Sequence, residues 1–366
     1  MAVVTPAYAG GESVVGFARE TAWGTPQTAG SDPNKTFGSA AHPAKFLAVK
    51  EETFEPAVNS DPQLDDMVQD REVYRVIANG NTTEGSLRLI PGPESIGYLL
   101  TMIFGTPSST QLAESSGGDT DTDVWQHVWY PGYNTRANWP AMYSIESRLS
   151  SVKSKLAKGA IIRRLPIDLP NNGPMSVNPD FIAKAMQILT TASGGNDDEG
   201  NALPCKLTAS PTLMDETEWH WKQVTAYPQI DSANEQSVTS LSVEMAFPDL
   251  RGLFTGGSGS DFGTYALDKF QISGRATILF ENETLWYKIK QGTYFKLDMT
   301  LQGDTIQGAN VNQLQIIAYS CLASTPGLAN RVGDLAYDIP WVGRRDPTQG
   351  KSCQITLINS VSDYSA

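Results

Sequence analysis

The clearest pattern in the chain is an alternation of apolar and polar residues with a period of two. The strongest runs are residues 238–247, 270–280 and 294–301, all in the second half. Alternation of this kind predicts strands that bury one face and leave the other in water, as in antiparallel sheets. Turn-forming residues separate the runs, so the sequence predicts a mainly-β fold, either a sandwich or a barrel. Weaker runs are 87–89, 165–169, 314–318 and 355–357.

Few segments repeat apolar residues with the helical period of 3.6, so we expect only one or two helices beside the sheets. The first predicted helix covers residues 93–104, with Pro93 at its first position and Gly105 as its cap. The second covers residues 179–190, with Asn178 as its N-cap. The apolar stripes are Ile96, Leu99, Leu100 and Ile103 in the first helix, and Ile182, Ala185, Met186 and Leu189 in the second.

Several long polar segments are predicted to be loops. They are residues 29–43, 55–71, 106–123, 193–202 and 256–263. Loops of this length in a compact domain usually carry a function, and in a self-assembling protein they would reach neighbouring subunits. The chain has no fixed-period repeat and no linker between two halves, so we expect a single domain.

Composition and charge narrow the functions that the chain can have. The 366 residues include 32 Gly and 22 Pro, which suits turns and half-exposed strands. The formal net charge of −13 argues against tight nucleic-acid binding, although an acidic surface beside DNA would prevent sticking. The N-terminus lacks the features of a signal peptide, and apolar stretches such as residues 97–105 are too short to span a bilayer. We therefore expect synthesis in the cytoplasm.

The residue types that usually act in catalysis or metal binding show no spacing that is typical of either role. The three cysteines are far apart and are expected to be buried thiols, and none of the three histidines has a metal-ligand spacing. Three aspartates at 119, 121 and 123 resemble a calcium loop, but Val124 and Tyr130 stand where the glycine and the bidentate glutamate belong. We therefore predict no catalytic residue, no cofactor and no metal site. The cysteines and histidines are Cys205, Cys321, Cys353, His42, His127 and His220.

Tryptophan is frequent enough to raise a carbohydrate-binding or carbohydrate-active sandwich as an alternative. Glycosidases need two carboxylates across a cleft, and no spacing singles out such a pair. Tryptophans at strand positions are more often part of a core or an interface than a sugar platform. The six residues concerned are Trp125, Trp129, Trp139, Trp219, Trp221 and Trp286.

Short motifs that follow one another along almost the whole chain resemble those of a known protein family. It begins with GFARETAWGTP at 16–26 and AKFLAV at 44–49, followed by REV at 71–73 and GNTTEGSL at 80–87. GYLL at 97–100 leads to Phe104-Gly105, VTSLSV occupies 238–243 and FQISGRATI 270–278, and Gly292-Thr293 and ITLIN at 355–359 close the series. This succession resembles the tail tube (major tail) proteins of tailed bacteriophages. The chain departs from shorter members of that family by extra residues at about 29–43, 106–124 and 193–203.

The resemblance implies a structural protein of the virion and not an enzyme. Proteins of this family are β-sandwiches whose sixfold rings stack into a hollow tube that conducts DNA from capsid to host. The implied partners are further copies of the chain and other tail proteins, namely tip or baseplate, terminator, tape measure and sheath. DNA would pass through without specific binding. The inner tube of a tail-like injection machine is an alternative.

Two sets of residues are candidates for the assembly. Residues 1–15 form a candidate arm onto the next ring, ahead of one domain over 16–366. The acidic segment before Glu72 is the candidate ring-stacking loop, with Asp61, Asp65, Asp66, Asp70 and Arg71. Polar strand faces are candidates for the channel lining, where a net acidic wall would let DNA slide. The candidate lining residues are Ser240, Ser242, Glu244, Lys296, Asp298 and Thr300.

Overall fold

The computed structural model describes most of the chain in fifteen stretches. They are residues 13–20, 45–63, 75–112, 124–132, 140–148, 153–190, 216–230, 233–234, 238–253, 264–267, 269–279, 287, 290–324, 327–331 and 334–364. Within them lie twenty-three strands, one α-helix and a short 3-10 turn at Trp221–Gln223. The mainly-β prediction is confirmed.

The first half of the chain contains twelve strands and the helix α1 (Ser95–Phe104). The strands are β1 Ser13–Arg19, β2 Lys45–Val49, β3 Glu51–Glu52, β4 Glu55–Gln63, β5 Arg75–Arg88, β6 Ser108–Gln111, β7 Trp125–Trp129, β8 Tyr143–Arg148, β9 Lys153–Leu169, β10 Ser176–Val177, β11 Asp180–Ala183 and β12 Ala185–Thr190. Eleven follow: β13 Val224–Ile230, β14 Ala233–Asn234, β15 Val238–Ala246, β16 Arg251–Leu253, β17 Thr264–Ala266, β18 Gln271–Leu279, β19 Phe295–Gln307, β20 Asn310–Ala323, β21 Gly327–Arg331, β22 Asp334–Gly343 and β23 Cys353–Asn359.

The strand pairings of the described residues are all antiparallel, and they join twenty-one strands into one network. The β15 sheet has the order β22–β18–β15–β9–β11–β5–β4. The β20 sheet has the order β6–β7–β23–β20–β19–β13–β14. The first half of the long strand β9 also belongs to a third sheet, β2–β1–β8–β9–β12. The end of β20 pairs with β22 and so connects the β15 and β20 sheets.

Burial along the strands follows the predicted alternation. In β15, Leu241, Val243 and Met245 are buried, while Ser240, Ser242 and Glu244 are partly exposed. The alternating apolar residues of β9, β18, β19, β20 and β23 are likewise buried. All of them belong to one hydrophobic cluster, which also includes the apolar side of α1. Each such side chain contributes about 1.5–3 kcal/mol through its removal from water, so the alternation is the main source of the fold's stability.

The first predicted helix is confirmed and the second is wrong. Helix α1 ends at Phe104, and Gly105 follows with φ 83°, where its N–H donates to the Thr101 carbonyl. Residues 180–190, predicted as helix, form β11 and β12 instead. Strand β11 lies between β5 and β9, and it buries Phe181, Ile182 and Ala183 in succession. A short apolar run that fills a gap in a sheet is compatible with helical spacing, and here the long-range pairing decided the outcome.

Two of the predicted loops are partly wrong. Residues 55–63 of the segment 55–71 form strand β4, and residues 108–111 of the segment 106–123 form strand β6. Strand β4 pairs with β5 on one side among the described strands, so it is an edge strand. Edge strands tolerate proline because the missing N–H can face away from the ladder, and β4 contains Pro56 and Pro62. The loops 29–43, 193–202 and 256–263 lie outside the described residues.

Candidate assembly and channel surfaces

The polar residues of β15 lie in the middle of a broader polar face. Ser242 is paired in register with Asp168 of β9 on one side and with Arg275 of β18 on the other. The Ser240 hydroxyl donates to Thr277 Oγ1 at 2.9 Å, and the Thr277 hydroxyl donates to Asp338 Oδ1 at 2.7 Å. One continuous polar surface therefore crosses four strands, from β9 to β22.

Carboxylates outnumber cations on this polar face of the β15 sheet. Arg164 Nε contacts Asp180 Oδ2 at 2.8 Å, and its Nη1 lies 3.6 Å from Glu244 Oε2. Arg275 Nη1 lies 3.9 Å from Asp338 Oδ2. All of these side chains are partly exposed, so each ion pair contributes about 0–1 kcal/mol to stability. Among the side chains that contact one another or Ser242 here, two guanidinium groups stand against four carboxylates, which are Asp168, Asp180, Glu244 and Asp338.

The other three candidate lining residues lie on β19, in the β20 sheet, so the structure does not bring the two sets onto one strand pair. Lys296 Nζ is 2.8 Å from Asp298 Oδ2, and Gln315 Nε2 donates to Asp298 Oδ1 at 3.0 Å. Thr300 is only 8% exposed. This set is therefore more enclosed and closer to neutral than the β15 set.

One of the candidate ring-stacking residues, Asp61, lies in a long pair of antiparallel strands. Strands β4 and β5 pair from Glu55↔Glu84 to Gln63↔Arg75, with one register shift between Asn59 and Ser60. Asp61 lies on β4 opposite Ile77. Its four partners in the prediction, Asp65, Asp66, Asp70 and Arg71, lie outside the described residues. Of the candidate arm, residues 1–15, only residues 13–15 are described, and they belong to strand β1, where they pair with β2 and Val15 is buried. An arm could therefore include at most residues 1–12.

A distant carboxylate caps the N-terminus of α1, which sequence reasoning missed. Glu216 Oε2 accepts hydrogen bonds from the N–H of Glu94 at 2.6 Å and of Ser95 at 3.1 Å. Burial raises the pKa of the Glu216 carboxyl, and the hydrogen bonds from Ser95 and Glu94 oppose this by favouring the charged form. Glu216 comes 121 positions after Ser95, so no local motif announces the cap.

The last described residues form a C-terminal strap across α1. Tyr364 is fully buried, and its hydroxyl donates to the Glu94 carbonyl at 2.9 Å and accepts from Asn359 Nδ2 at 2.5 Å. Its ring meets Tyr98 edge-on with the ring centroids 4.9 Å apart. Gly97 provides the room, because a Cβ there would lie 2.5 Å from the Tyr364 hydroxyl. The strap therefore fixes the end of β23 to the helix.

Beside this strap lies His127, one of the three histidines without a metal-ligand spacing. Its Nε2 donates to the Val361 carbonyl at 2.7 Å, and the Ser109 hydroxyl lies 2.8 Å from Nδ1. Burial lowers the pKa of His127, which favours the neutral ring with Nδ1 as acceptor. Both ring nitrogens of His127 are therefore engaged in hydrogen bonds within the folded chain.

Several other residues that were considered for chemistry are also part of the core, whereas Trp125, Trp221 and His220 are half-buried. Cys321 and Cys353 are buried free thiols, as expected, and burial raises the pKa of Cys353 to about 12. Trp129 and Trp219 are core residues. In the described stretches, no group of three or more His, Cys, Asp or Glu side chains is placed to hold a metal ion. None of the described helices is long and apolar enough to cross a membrane. His42, Cys205, Trp139, Trp286 and residues 119–123 lie outside the described residues.

Comparison with known proteins agrees with the motif series and the strand content. A comparison with curated protein sequences found no significant match. The family profile described as phage tail tube protein matches residues 10–343, nearly the whole chain. Members of this family are structural components of the virion tail that assemble with themselves and with other tail proteins, and they are not known as enzymes. The chain therefore belongs to the phage tail tube protein family.

Proposed function

We propose that six copies of this chain form a ring, and that the rings stack into a hollow tube through which DNA passes from capsid to host. The observation that carries the proposal is the family match over residues 10–343. The fold supports it, because antiparallel sheets have open edges that invite pairing with further strands. Head-to-tail contacts in a closed ring leave none of those side edges exposed.

The polar face of the β15 sheet is the better candidate for the channel wall. Ser240, Ser242 and Glu244 are partly exposed in a surface where carboxylates outnumber guanidinium groups. An acidic wall repels phosphates and so keeps DNA from binding as it slides. The β19 set, Lys296, Asp298 and Thr300, remains a second candidate. It would offer a more neutral lining, because Lys296 already contacts Asp298.

Contacts between rings are assigned to two segments. The acidic segment with Asp61, Asp65, Asp66, Asp70 and Arg71, which begins in β4, would reach the neighbouring ring. Residues 1–12 would act as an arm, and residues 13–366 would form one domain with insertions at about 29–43, 106–124 and 193–203. The partners at the tube ends would be tip or baseplate and terminator proteins. The tape measure would lie inside the tube, a sheath would surround it in a contractile tail, and synthesis would occur in the host cytoplasm.

Cryo-electron microscopy of the purified protein tests the main proposal. The expected result is tubes of uniform width with sixfold rings, and with the β15 polar face lining the channel. Particles of another symmetry, or a protein that stays monomeric with a purified tail tip present, would overturn it. A strongly electropositive channel in the reconstruction would refute the acidic wall while leaving the ring assembly in place.

Deletions test the contacts between rings. Removing residues 1–12, or replacing residues 64–74 by a short glycine linker, should leave a folded chain that no longer stacks. Tubes of normal length from either deletion would show that the deleted segment is not needed for stacking.

A further inference from the structure

A cluster of aromatic, apolar and cationic side chains is exposed at one end of the β20 sheet. Seven large hydrophobic side chains are more than a third exposed among the described residues, and four of them belong to this cluster. Exposed apolar side chains that are concentrated in one place are typical of an interaction surface. We call the cluster the basic–aromatic patch, and it consists of Tyr130, Tyr294, Leu322, Val342, Arg344 and Lys351.

The apolar part of the patch comes from two strands. Leu322 of β20 is paired with Val342 of β22, and the two side chains are 38% and 47% exposed. Their chain neighbours Cys321 and Trp341 are buried in the core. The alternation of these strands therefore directs Leu322 and Val342 outward from a well-packed part of the sheet.

The two cations of the patch rest on aromatic rings. The Arg344 guanidinium lies 3.5 Å from the Tyr294 ring centroid. Lys351 Nζ lies 5.1 Å from the Tyr130 ring centroid and donates to Gln354 Oε1 at 2.5 Å. Within the described part of the chain, neither cation contacts a carboxylate. Both positive charges therefore remain open to an acidic partner.

The two strands that end at this patch form a hairpin that projects at the opposite end of the sheet. Tyr294 directly precedes β19, and Leu322 lies near the end of β20. Among the described strands, β13 pairs with β19 only as far as Leu301, and β23 pairs with β20 only as far as Gln313. Residues 302–312, which we call the hairpin tip, extend beyond both neighbours. Since β19 has thirteen residues, the tip is about 40 Å from the patch.

The hairpin tip is acidic and contains no cation. Its only charged residue, Asp304, is exposed and makes no ion pair or side-chain hydrogen bond with the residues that the structure describes, and Ile306 is partly exposed. Glu218, also exposed, adjoins Trp219, whose ring lies 3.5 Å from the place of a Cβ on Gly303. A two-stranded ribbon without packing partners is marginally stable in water, so contact with a further surface would stabilise the tip.

We propose that the hairpin tip of one copy binds the basic–aromatic patch of a copy in the next ring. The inference rests on the ring stacking proposed above, and it adds a contact whose two halves both lie within the described residues. Tip and patch are at opposite ends of the same two strands, so every copy offers its tip to one neighbour and its patch to another. A head-to-tail contact of this kind repeats from ring to ring along the tube.

The two surfaces are complementary in charge and in polarity. The carboxylates of Asp304 and Glu218 match the two cations of the patch, which lie on rings and not on carboxylates of their own chain. Ile306 matches the two exposed aliphatic side chains, and the amides of the tip suit the tyrosine hydroxyls. Tyrosine and arginine are enriched at protein interfaces, because they combine apolar area with directional polar groups.

DNA is a rival occupant of the patch, because phosphates also bind cations beside aromatic rings. Two features favour a second copy of the chain. Leu322 and Val342 offer apolar contact that a phosphate backbone does not use. The net charge of −13 also repels DNA from the chain as a whole, whereas the hairpin tip carries a single carboxylate.

Charge reversal on each surface tests the contact. The patch variant is Arg344→Glu with Lys351→Glu, and the tip variant is Glu218→Lys with Asp304→Lys. A combined chain carries all four changes. Two matched controls make the same changes of charge at exposed positions elsewhere, namely Lys50→Glu with Arg251→Glu and Glu51→Lys with Asp249→Lys.

The measurement is the number of stacked rings. Assembly is started with a purified tail tip, and negative-stain microscopy counts the rings in each particle. Circular dichroism and thermal melts check that each variant folds like the wild type. The tip variant changes two exposed residues, so it tests the contact by itself if the patch variant does not fold.

The expected result is that each reversed variant forms rings but loses stacking. The mean number of rings in a particle should fall at least about tenfold, because like charges would meet at every contact. The combined chain should stack again, since each reversed tip then meets a reversed patch, and both controls should stack like the wild type. Normal tubes from either reversed variant would overturn the proposal, as would a combined chain that stays unstacked. Normal tubes from a patch variant that no longer binds a DNA duplex would assign the patch to DNA.

Failure of the proposed function gives a different result. If the reversals abolish end-to-end association and the combined chain restores it, but the particles are not sixfold, the tip–patch contact stands and the sixfold ring is refuted. If sixfold rings stack regardless of the reversals, the ring stands and the contact is refuted. If the wild type does not associate at all, both are overturned.

Discussion

Replacing Gly97 by alanine should destabilise the protein, although this substitution usually stabilises a helix. Gly97 is the third residue of α1, where alanine alone would contribute about 1 kcal/mol of stability. The added Cβ would lie 2.5 Å from the hydroxyl of Tyr364, whose ring is fully buried. Overpacking of this kind costs about 1–3 kcal/mol. Displacing the ring also breaks two hydrogen bonds, each worth about 1 kcal/mol.

The opposing contributions leave a net loss of about 2–4 kcal/mol for Gly97→Ala. For 366 residues the unfolding entropy is about 0.77 kcal/mol per kelvin, so the melting temperature should fall by about 3–5 °C. Urea unfolding followed by far-UV circular dichroism measures the loss, at a concentration where the chain is monomeric. Such a loss would show that packing of the C-terminal strap outweighs helix propensity at this position.

A double-mutant cycle separates the clash from other effects. In a Tyr364→Ala background the clash is gone, so Gly97→Ala should become stabilising by about 1 kcal/mol. Tyr364→Ala by itself should cost about 3–5 kcal/mol, because it empties a closed aromatic site. If Gly97→Ala stabilises the wild-type chain, or costs the same in both backgrounds, the strap does not pack on the helix as described.

Three further predictions concern packing, titration and thiol reactivity. Gly274→Ala should be destabilising by about 1–3 kcal/mol, because the added Cβ would overlap the Ser242 carbonyl and lie 2.5 Å from Trp341 Cζ2. The matched control in urea unfolding is Gly303→Ala, where the atom nearest to the added Cβ is 3.3 Å away, and it should change stability much less. The pKa of Glu216 is higher in the folded than in the unfolded chain, so its contribution to stability is greatest below the unfolded pKa and declines as pH rises through the folded pKa. The free energy of unfolding of the wild type, relative to that of Glu216→Gln, should therefore fall between pH 4 and pH 8. A difference that does not depend on pH would contradict the raised pKa. In a Cys205→Ala chain, Cys321 and Cys353 should react with a thiol reagent at pH 8 only after unfolding. The reason is that both thiols are buried and that the pKa of Cys353 is raised to about 12. Labelling of the native chain would contradict their burial.

The strands that the sequence predicted well are those whose signal is local. In β15, β18 and β19, one face packs on the core and the other meets water, so burial imposes a period of two. Helix α1 was equally visible, because its stripe and its terminal glycine lie within twelve residues. Wherever burial follows a regular period over eight or more residues, sequence alone was enough.

The wrong predictions have long-range causes. Strand β11 resembles a helix segment until β5 and β9 are seen to enclose it, and β5 is about a hundred residues earlier in the chain. Strand β4 resembles a loop because it is polar and contains two prolines, which only its edge position makes compatible with a strand. The Glu216 cap and the Tyr364 strap join residues 122 and 270 positions apart. Contacts between residues so far apart produce no periodic pattern in the sequence.

The distribution of charge bears both on the candidate channel wall and on the assembly of identical copies. Identical chains of net charge −13 repel each other, so assembly requires local attraction that exceeds this repulsion. On the polar face of the β15 sheet, Arg164 and Arg275 contact carboxylates of their own chain, which leaves an acidic surplus facing water. Elsewhere on the chain, Arg344 and Lys351 instead rest on tyrosine rings. Attraction between copies in the proposed tube would therefore draw on cations such as these rather than on the arginines of the polar face.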